Sequence, residues 1–375
     1  MNLDLSTSEI RRGLREYFAD HDSLIEVRAA ADAAPAAKAQ PPFDPDVWRA
    51  LAQDLGAAGL AVPTRYGGLG LGIQAVTAAL HEAGHELYPG PLLQTVSAAA
   101  AMVVALADGS AGSPVTSALT ATAAGQAIAT LALPAGDVQG GCGVTVDGPL
   151  LRGTARAVPY GACADLLVAV ASTSGRAVLV LVDPAELANA DRQVRAGIDF
   201  SCAYADVTLD GIRGDVICAD PGAVSRALDI AQVLTAADQV GMAAGALDRT
   251  LEYLKVREQF GRIIGTYQAL QHRCADLAVD IEAAAALVAM AAAAGDVGDA
   301  DLLARTGLLA RAAASEASVF AADTMIQIHG GIGFTWEHDA HLFFRRARSM
   351  AAWFGTVQQL RAEAARRDCF ALIAQ

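Results

Sequence analysis

The chain has 375 residues, more than one small core usually supports, so two or three domains are expected. Its 27 basic and 41 acidic residues give a formal net charge of −14. Such an acidic chain is a poor partner for nucleic acid or for an anionic membrane surface.

The composition also predicts a cytoplasmic protein without a metal centre. The start of the chain is acidic and polar, unlike a positively charged, apolar leader. The alanine-rich runs 98–107 and 283–294 are too short and too weakly apolar to span a bilayer. The six cysteines are scattered, without CxxC spacing or histidines at ligand spacing, so reduced thiols are expected rather than disulfides or zinc.

The first third of the sequence is predicted to be helical. Helical apolar spacing occurs at Ser6–Asp20, Asp44–Leu55 and Ile73–Leu87, and proline and glycine separate these segments. The loop Val62–Gly72 is rich in glycine, but no strand precedes it and no Lys-Ser or Lys-Thr pair follows it. We therefore assign this loop a structural role rather than nucleotide binding.

The pattern changes between Gln126 and Asp215. Short β-branched or alternating runs, separated by Gly, Pro and Asp, predict an antiparallel β domain of meander or barrel type. The predicted strands are Ala127–Leu133, Val144–Val146, Leu150–Ala157, Leu166–Ala171, Ala177–Val182 and Ala203–Leu209.

From Gly222 onward the sequence predicts a bundle of four or so long helices. An apolar helix face ends at the charged corner Arg257–Arg262, with the sequence REQFGR. A guanidinium beside an aromatic ring and a glycine suits a bound phosphate next to a flat ligand. On spacing alone, an arginine that merely offsets the dipole of a helix end is equally consistent.

A second candidate phosphate site lies at Ile326–Phe334, with the sequence IQIHGGIGF. Gln327 precedes the glycines at 330, 331 and 333, whose N–H groups could hold a pyrophosphate. A lone glycine cluster of this kind is a weak motif, so its meaning depends on the other segments.

Together with the helix YQALQHRCAD and the late segment Gly355–Gln358, these motifs resemble the C-terminal half of the acyl-CoA dehydrogenase family, most strongly over Gly222–Arg361. The resemblance implies a mainly α fold with a central β domain. The implied domains are an N-terminal helical domain (1–123), an antiparallel β-barrel-like domain (124–218) and a C-terminal four-helix bundle (219–375) that binds FAD and mediates oligomerisation.

The resemblance also implies an FAD site shared between subunits. Arg257 would contact the flavin nucleotide, Gln327 would hold the pyrophosphate from the neighbouring subunit, and Thr356 would reach the adenosine part. Gln268 could instead cap a turn. The implied cofactor-binding residues are Tyr160, Arg257, Phe260, Gln268, Gln327, Gly330, Gly331, Thr356 and Gln358.

Dehydrogenation of an acyl thioester needs a carboxylate that takes the α-proton while hydride leaves the β-carbon for the flavin. The family's two glutamate positions fall on Phe354 and Ala231, and neither side chain is a base. Asp238 lies seven residues after Ala231, two helical turns further along the same face and about 10 Å along the axis. Because it is the only carboxylate in the apolar run Ile230–Leu247, we predict that Asp238 is the base. The alternative is an aspartate that is hydrogen-bonded to a neighbouring helix.

The predicted function is FAD-dependent α,β-dehydrogenation of an acyl thioester, CoA- or carrier-bound, in lipid metabolism, with electrons passed to an electron-transfer flavoprotein. Two alternatives stay open: a non-catalytic partner subunit of a heterotetramer, and a flavin oxidase or monooxygenase on the same fold. The missing glutamates favour the partner subunit. So does Leu133–Asp137, which stands in place of the Thr-Glu-Pro-x-x-Gly-Ser-Asp loop common in the family. Asp238 and the intact C-terminal motifs favour an active dehydrogenase, expected as a homotetramer.

Overall fold

The computed structural model describes residues 7–33, 42–109, 112–133 and 142–369. The segment Leu133–Asp137 lies outside this description from Pro134 onward. Along the chain, the strands of a β sheet lie between two helical regions, so the predicted fold class is confirmed. The domain boundaries themselves stay predictions.

The regular elements among the described residues of the N-terminal region are all helices. The predicted helices at Ser6–Asp20 and Ile73–Leu87 are confirmed within two residues at each end, and Asp44–Leu55 is an α-helix that continues into the π-helical turn Ala50–Asp54. The second, fifth and sixth helices were not predicted. The helices are α1 Thr7–Asp20, α2 Ser23–Ala33, α3 Pro45–Arg49, α4 Ile73–His85, α5 Leu92–Ala107 and α6 Ser113–Ala123.

The central region forms a mixed sheet with the strand order β6-β7-β3-β2-β4-β5-β8, and β1 pairs with β4. The strands are β1 Ala129–Ala132, β2 Val144–Asp147, β3 Leu150–Pro159, β4 Leu166–Thr173, β5 Arg176–Val182, β6 Arg192–Arg195, β7 Tyr204–Thr208 and β8 Gly214–Cys218, and the short helix α7 Pro184–Leu187 follows β5. All six predicted strands are present. The expectation of a purely antiparallel sheet was wrong, because β4 pairs in parallel with both β1 and β2.

The C-terminal region has three long helices and two short ones in its described residues. They are α8 Pro221–Val256, α9 Gln268–Val297, α10 Ala300–His329, α11 Ala340–Met350 and α12 Val357–Arg366. The hairpin of β9 Glu258–Gln259 and β10 Arg262–Ile263 forms the predicted corner between α8 and α9. Its two-residue loop, Phe260–Gly261, has positive φ at both positions, as a type I′ turn requires.

Close packing of α4 against α8 fixes the middle of α8 in the interior. A Cβ at Gly241 would lie 1.9 Å from the carbonyl oxygen of His81, and one at Gly84 would lie 2.0 Å from that of Asp238. The two backbones therefore touch, and only glycine fits at these crossing points. α5 and α10 cover other faces of α8, so Asp238 is enclosed by protein.

One described helix, α9, is long and apolar enough to cross a membrane by length and composition alone. In the structure, 39% of its most apolar window is buried, and the helix packs against α8 and α10. A core helix passes the same test, so a single helix of this kind is weak evidence for a membrane.

Candidate active site

Two adjoining cavities lie where the start of α5, the middle of α8 and the turn after α11 meet. The first is called the uncharged cavity and is lined by Leu93, Gln94, Ser97, Leu131, Leu133, Pro159, Ala231, Thr235, Trp353 and Phe354. The second is called the charged cavity, and its lining includes Tyr88, Leu93, Gln94, Tyr160, Asp199, Cys202, Asp238, Arg346 and Trp353. Leu93, Gln94 and Trp353 line both cavities, so the two spaces are neighbours.

The uncharged cavity brings together the two positions that the family resemblance predicts for a base. Ala231 on α8 and Phe354 after α11 both line this cavity, although they are far apart in sequence. No carboxylate lines it within the described residues. Among the described residues, this cavity therefore has no side chain that could take an α-proton.

Asp238, the predicted base, forms a buried ion pair. Arg346 on α11 donates from Nη2 to both carboxylate oxygens at 2.9 Å. The residues are 1% and 7% exposed, respectively. Burial raises the pKa of the Asp238 carboxyl, and the charge of Arg346 opposes this shift. Because Arg346 binds both carboxylate oxygens, this geometry agrees with the alternative interpretation, an aspartate hydrogen-bonded to a neighbouring helix. The role of Asp238 as the base stays a prediction.

A second buried carboxylate, Asp199, was missed by sequence reasoning. It lies in the loop between β6 and β7, where no periodic pattern marks it. Its Oδ1 accepts hydrogen bonds from the backbone N–H of Ser201 at 2.9 Å and from the Ser201 hydroxyl at 2.6 Å. Burial raises the pKa of the Asp199 carboxyl, against the effect of the Arg346 charge.

Arg311 on α10 fixes the turn that forms one wall of both cavities. This guanidinium is fully buried and has no carboxylate partner among the described residues. It donates to the carbonyl oxygens of Met350 at 2.5 Å and Trp353 at 2.9 Å, and to Oε1 of Gln239 at 2.6 Å. The turn after α11 is thereby tied to α8 and α10, which sets the positions of Trp353 and Phe354.

The implied cofactor-binding residues, with one exception, lie at the surface. Phe260 is 91% exposed, and the Arg257 side chain has no hydrogen bond or ion pair within the described residues. Tyr253, one turn before Arg257, stacks on His329 with ring centroids 4.2 Å apart, so the C-terminal ends of α8 and α10 lie side by side. The exposed members of the set are Arg257, Phe260, Gln268, Gln327, Gly330, Gly331, Thr356 and Gln358.

These exposed groups fit a flavin nucleotide held at a subunit boundary. The Arg257 guanidinium has no partner among the described residues, Phe260 is exposed, and a Cβ at Gly330 or Gly331 would meet nothing within 4 Å. Such open backbone allows a phosphate to approach closely. Thr356 has a further local role, because its hydroxyl caps α12 in a capping box with Gln359.

Tyr160 differs from the rest of the set. It is only 2% exposed, and its hydroxyl lies 2.5 Å from the Pro89 carbonyl oxygen. The ring thus packs between the sheet and the N-terminal helices and lines the charged cavity, and its contact with a flavin stays a prediction.

Comparisons with known proteins agree with this arrangement. The family model "Acyl-CoA dehydrogenase, N-terminal domain" matches residues 8–113, and "Acyl-CoA dehydrogenase, C-terminal domain" matches residues 222–368. Acyl-CoA dehydrogenase IpdE2 of Mycobacterium tuberculosis is 37% identical over 348 residues, which cover 92% of this chain and 93% of that protein.

Two solved structures of paired chains are also similar. A variant of the Tcur3481-Tcur3483 steroid ACAD has a TM-score of 0.82 and 30% identity, and the alignment covers 98% of both chains. The ChsE4-ChsE5 complex from Mycobacterium tuberculosis has a TM-score of 0.81 and 26% identity at the same coverage. The chain therefore belongs to the acyl-CoA dehydrogenase family, whose members are oxidoreductases that act on CH–CH groups.

Proposed function

We propose that this chain is one subunit of an FAD-dependent acyl-CoA dehydrogenase and that a second chain of the same family supplies the base. The observation that carries the proposal is the uncharged cavity, where Ala231 and Phe354 occupy both base positions and no described carboxylate is present. The ion pair of Asp238 with Arg346 supports it, because it gives the one carboxylate in this part of α8 a structural use.

The residues of this chain bind and position the reactants in this scheme. FAD, when bound, accepts the hydride from the β-carbon of the acyl group. Arg257 would contact the nucleotide of one FAD, and the backbone at Gly330 and Gly331 would hold the pyrophosphate bound mainly by the neighbouring subunit, since a guanidinium and free N–H groups are good phosphate ligands. Trp353 and Phe354 would exclude water from the uncharged cavity. An electron-transfer flavoprotein would be the electron acceptor.

The similar structures support an assembly of two different chains. Both are named as pairs, Tcur3481-Tcur3483 and ChsE4-ChsE5, and this chain covers 98% of the aligned chain in each case. The word "steroid" in the first name supports a bulky acyl group as the substrate class for this chain as well.

The test is to purify the chain alone and together with a second family chain that carries a glutamate at the position of Phe354. The mixed complex should bind about one FAD per two chains and reduce it with acyl-CoA, whereas the chain alone should not reduce flavin. Flavin reduction by the chain alone, at the rate of the complex, would contradict the proposal. A preparation that binds no flavin in either form would contradict the cofactor assignment.

A second candidate is a self-sufficient dehydrogenase in which Asp238 is the base. One observation favours it: Asp238 lines the charged cavity, which shares Trp353 with the uncharged cavity. This mechanism requires Arg346 to release one carboxylate oxygen when substrate binds. The substitution Asp238→Asn distinguishes the two candidates, as developed in the Discussion.

A further inference from the structure

The turn that carries Gly330 and Gly331 lies between two histidines whose rings touch. His329 is the last residue of α10, and His338 lies just before α11. Their ring centroids are 4.2 Å apart. This contact closes residues 330–337 into a loop, here called the 330–337 loop.

Hydrogen bonds to the backbone fix where the protons of the two imidazoles lie. Nδ1 of His329 is 2.7 Å from the carbonyl oxygen of Met325, which can only accept, so this nitrogen carries a proton. Nδ1 of His338 accepts from the backbone N–H of Ala340 at 3.1 Å, so this nitrogen is unprotonated. His338 is therefore neutral in this arrangement, and it satisfies one of the N–H groups at the start of α11.

The 330–337 loop is also tied to more distant elements. His329 stacks on Tyr253 of α8, with ring centroids 4.2 Å apart. Arg28 of α2 donates to the carbonyl oxygens of Trp336 at 3.4 Å and Glu337 at 3.3 Å. The closed loop is thus held at its ends, while the backbone at its two glycines stays open to a ligand.

The charges around His338 oppose its protonation on balance. Burial lowers the pKa of His338 from its ordinary value of 6.5; the carboxylate of Asp339 acts against this shift, and the charge of Arg28 adds to it. Arg28 and Asp339 form an ion pair at 2.6 Å. Because the closed loop favours the neutral ring, this contribution to closure is complete above about pH 6.5 and is lost as the pH falls below that value.

The neighbouring histidines shift in the same direction. Burial lowers the pKa of His329, and the His338 ring adds to this shift. Burial lowers the pKa of His341 on α11 as well, and the charge of Arg345 adds to that shift. Acid therefore adds positive charge to a cluster that already contains Arg28 and Arg345.

We infer that His338 is a positioning residue for the cofactor, which closes the 330–337 loop so that the backbone of Gly330 and Gly331 meets the FAD pyrophosphate, and that its protonation opens the loop. A proton on Nδ1 would occupy the lone pair that now accepts from Ala340, so the ring cannot be charged and keep this bond. The inference rests on the proposed function in one respect, that these glycines contact an FAD bound mainly by the neighbouring subunit.

The first test measures the dissociation constant of FAD by flavin fluorescence at about pH 7.5 and about pH 5.5, on the complex of this chain with its partner. The constant should rise about 3–10-fold in acid, because one group with an ordinary pKa of 6.5 can change it by about tenfold at most over this interval.

Two substitutions of His338 separate its titration from its hydrogen bond. In His338→Asn the amide oxygen can accept from the Ala340 N–H but cannot be protonated, so FAD should bind equally well at both pH values. His338→Phe keeps a ring against His329 but has no acceptor, so FAD should bind about fivefold more weakly than to the wild type at neutral pH, and the affinity should not depend on pH. His21→Asn is the matched control: His21 also stacks on a tyrosine, Tyr17, but it follows α1, so the wild-type pH response should remain.

Hydrogen exchange of residues 330–342, measured on the same complex without FAD, tests closure of the loop directly. The protection factors should fall from about pH 7.5 to about pH 5.5 in the wild type and stay constant in His338→Asn.

A wild-type pH response in His338→Asn would overturn the inference, because another group would then titrate. A wild-type FAD affinity that does not change with pH would also overturn it. If no FAD binds at either pH, the proposed function fails together with the cofactor role of His338, and the exchange measurement still decides whether His338 closes the loop.

Discussion

The substitution Asp238→Asn should affect flavin reduction differently if Asp238 only forms a structural ion pair than if it is the catalytic base. The amide has nearly the shape of the carboxylate, but it removes the negative charge that faces Arg346. Both carboxylate oxygens lie 2.9 Å from the same nitrogen, and the pair is almost entirely buried. The variant therefore leaves a buried guanidinium without its closest counter-charge.

The expected cost follows from the burial of the pair. Removing one partner of a buried ion pair typically costs about 3–5 kcal/mol, because the remaining charge stays desolvated. Arg346 keeps its contacts with the Tyr88 carbonyl and the Ser201 hydroxyl, and the charge of Asp199 also acts on it. We therefore expect a loss near the lower end, about 3 kcal/mol. Replacing both partners, as in Asp238→Leu with Arg346→Met, should recover much of this loss, since no unpaired charge remains.

The assay compares urea midpoints with the rate of flavin reduction by acyl-CoA, both on the FAD-loaded complex. A structural pair predicts a lower midpoint in Asp238→Asn and a reduction rate per folded molecule close to that of the wild type. A catalytic base predicts a rate lowered about 10²–10⁴-fold in addition to the lower midpoint, because the ion pair is lost in either case. The latter result would refute the structural interpretation and assign the α-proton to Asp238.

Two further predictions concern the cofactor and the N-terminal helix. Arg257→Ala should raise the dissociation constant of FAD about 10–100-fold, measured by flavin fluorescence, because a charge-assisted contact to phosphate is lost. Arg176→Ala, on the exposed start of β5, is the control and should not change this constant. Equal dissociation constants in the two variants would show that Arg257 does not bind the cofactor. Burial alone would raise the pKa of Glu82, but hydrogen bonds from His81, Arg15 and Arg11 outweigh this and lower it from 4.5 to about 2. The contribution of Glu82 to stability is thus complete above about pH 4.5 and is lost as the pH falls through about 2. The protection factors of the α1 amides, which correct for the pH dependence of intrinsic exchange, should therefore fall over that interval, and Glu82→Gln should already show low protection at neutral pH.

The parts of the fold that local sequence determines were predicted well. α8 begins at an Asp-Pro pair, where Asp220 caps the helix and proline occupies its first turn, and the corner at Phe260–Gly261 has the residues that its turn needs. β6 was missed because Arg192–Arg195 is polar and largely exposed, so it has no alternating apolar pattern. α5 was missed for the opposite reason, since it is apolar on nearly every face and shows no stripe.

The site could be predicted only in part, because its contacts join distant positions. The predicted cofactor-binding residues come from motifs that are continuous in sequence, and the structure places all of them except Tyr160 at the surface. The partner of Asp238 is 108 residues away, and nothing in the α8 sequence identifies it. Asp199 lies in a loop without a motif, so its place beside the same arginine follows only from the packing of the sheet against the helices.

The packing around α8 gives Asp238 a structural explanation. A carboxylate in an apolar helix is costly unless it is paired or used, and sequence alone could not separate these cases. In the structure, two successive residues of α8 each bind a buried guanidinium: Asp238 binds Arg346, and Gln239 binds Arg311. Arg311 in turn holds the turn that carries Phe354. The same polar positions on α8 therefore shape the wall of the uncharged cavity, and Asp238 needs no catalytic role to be stable there. Because no carboxylate among the described residues lines that cavity, we propose that a second chain supplies the base.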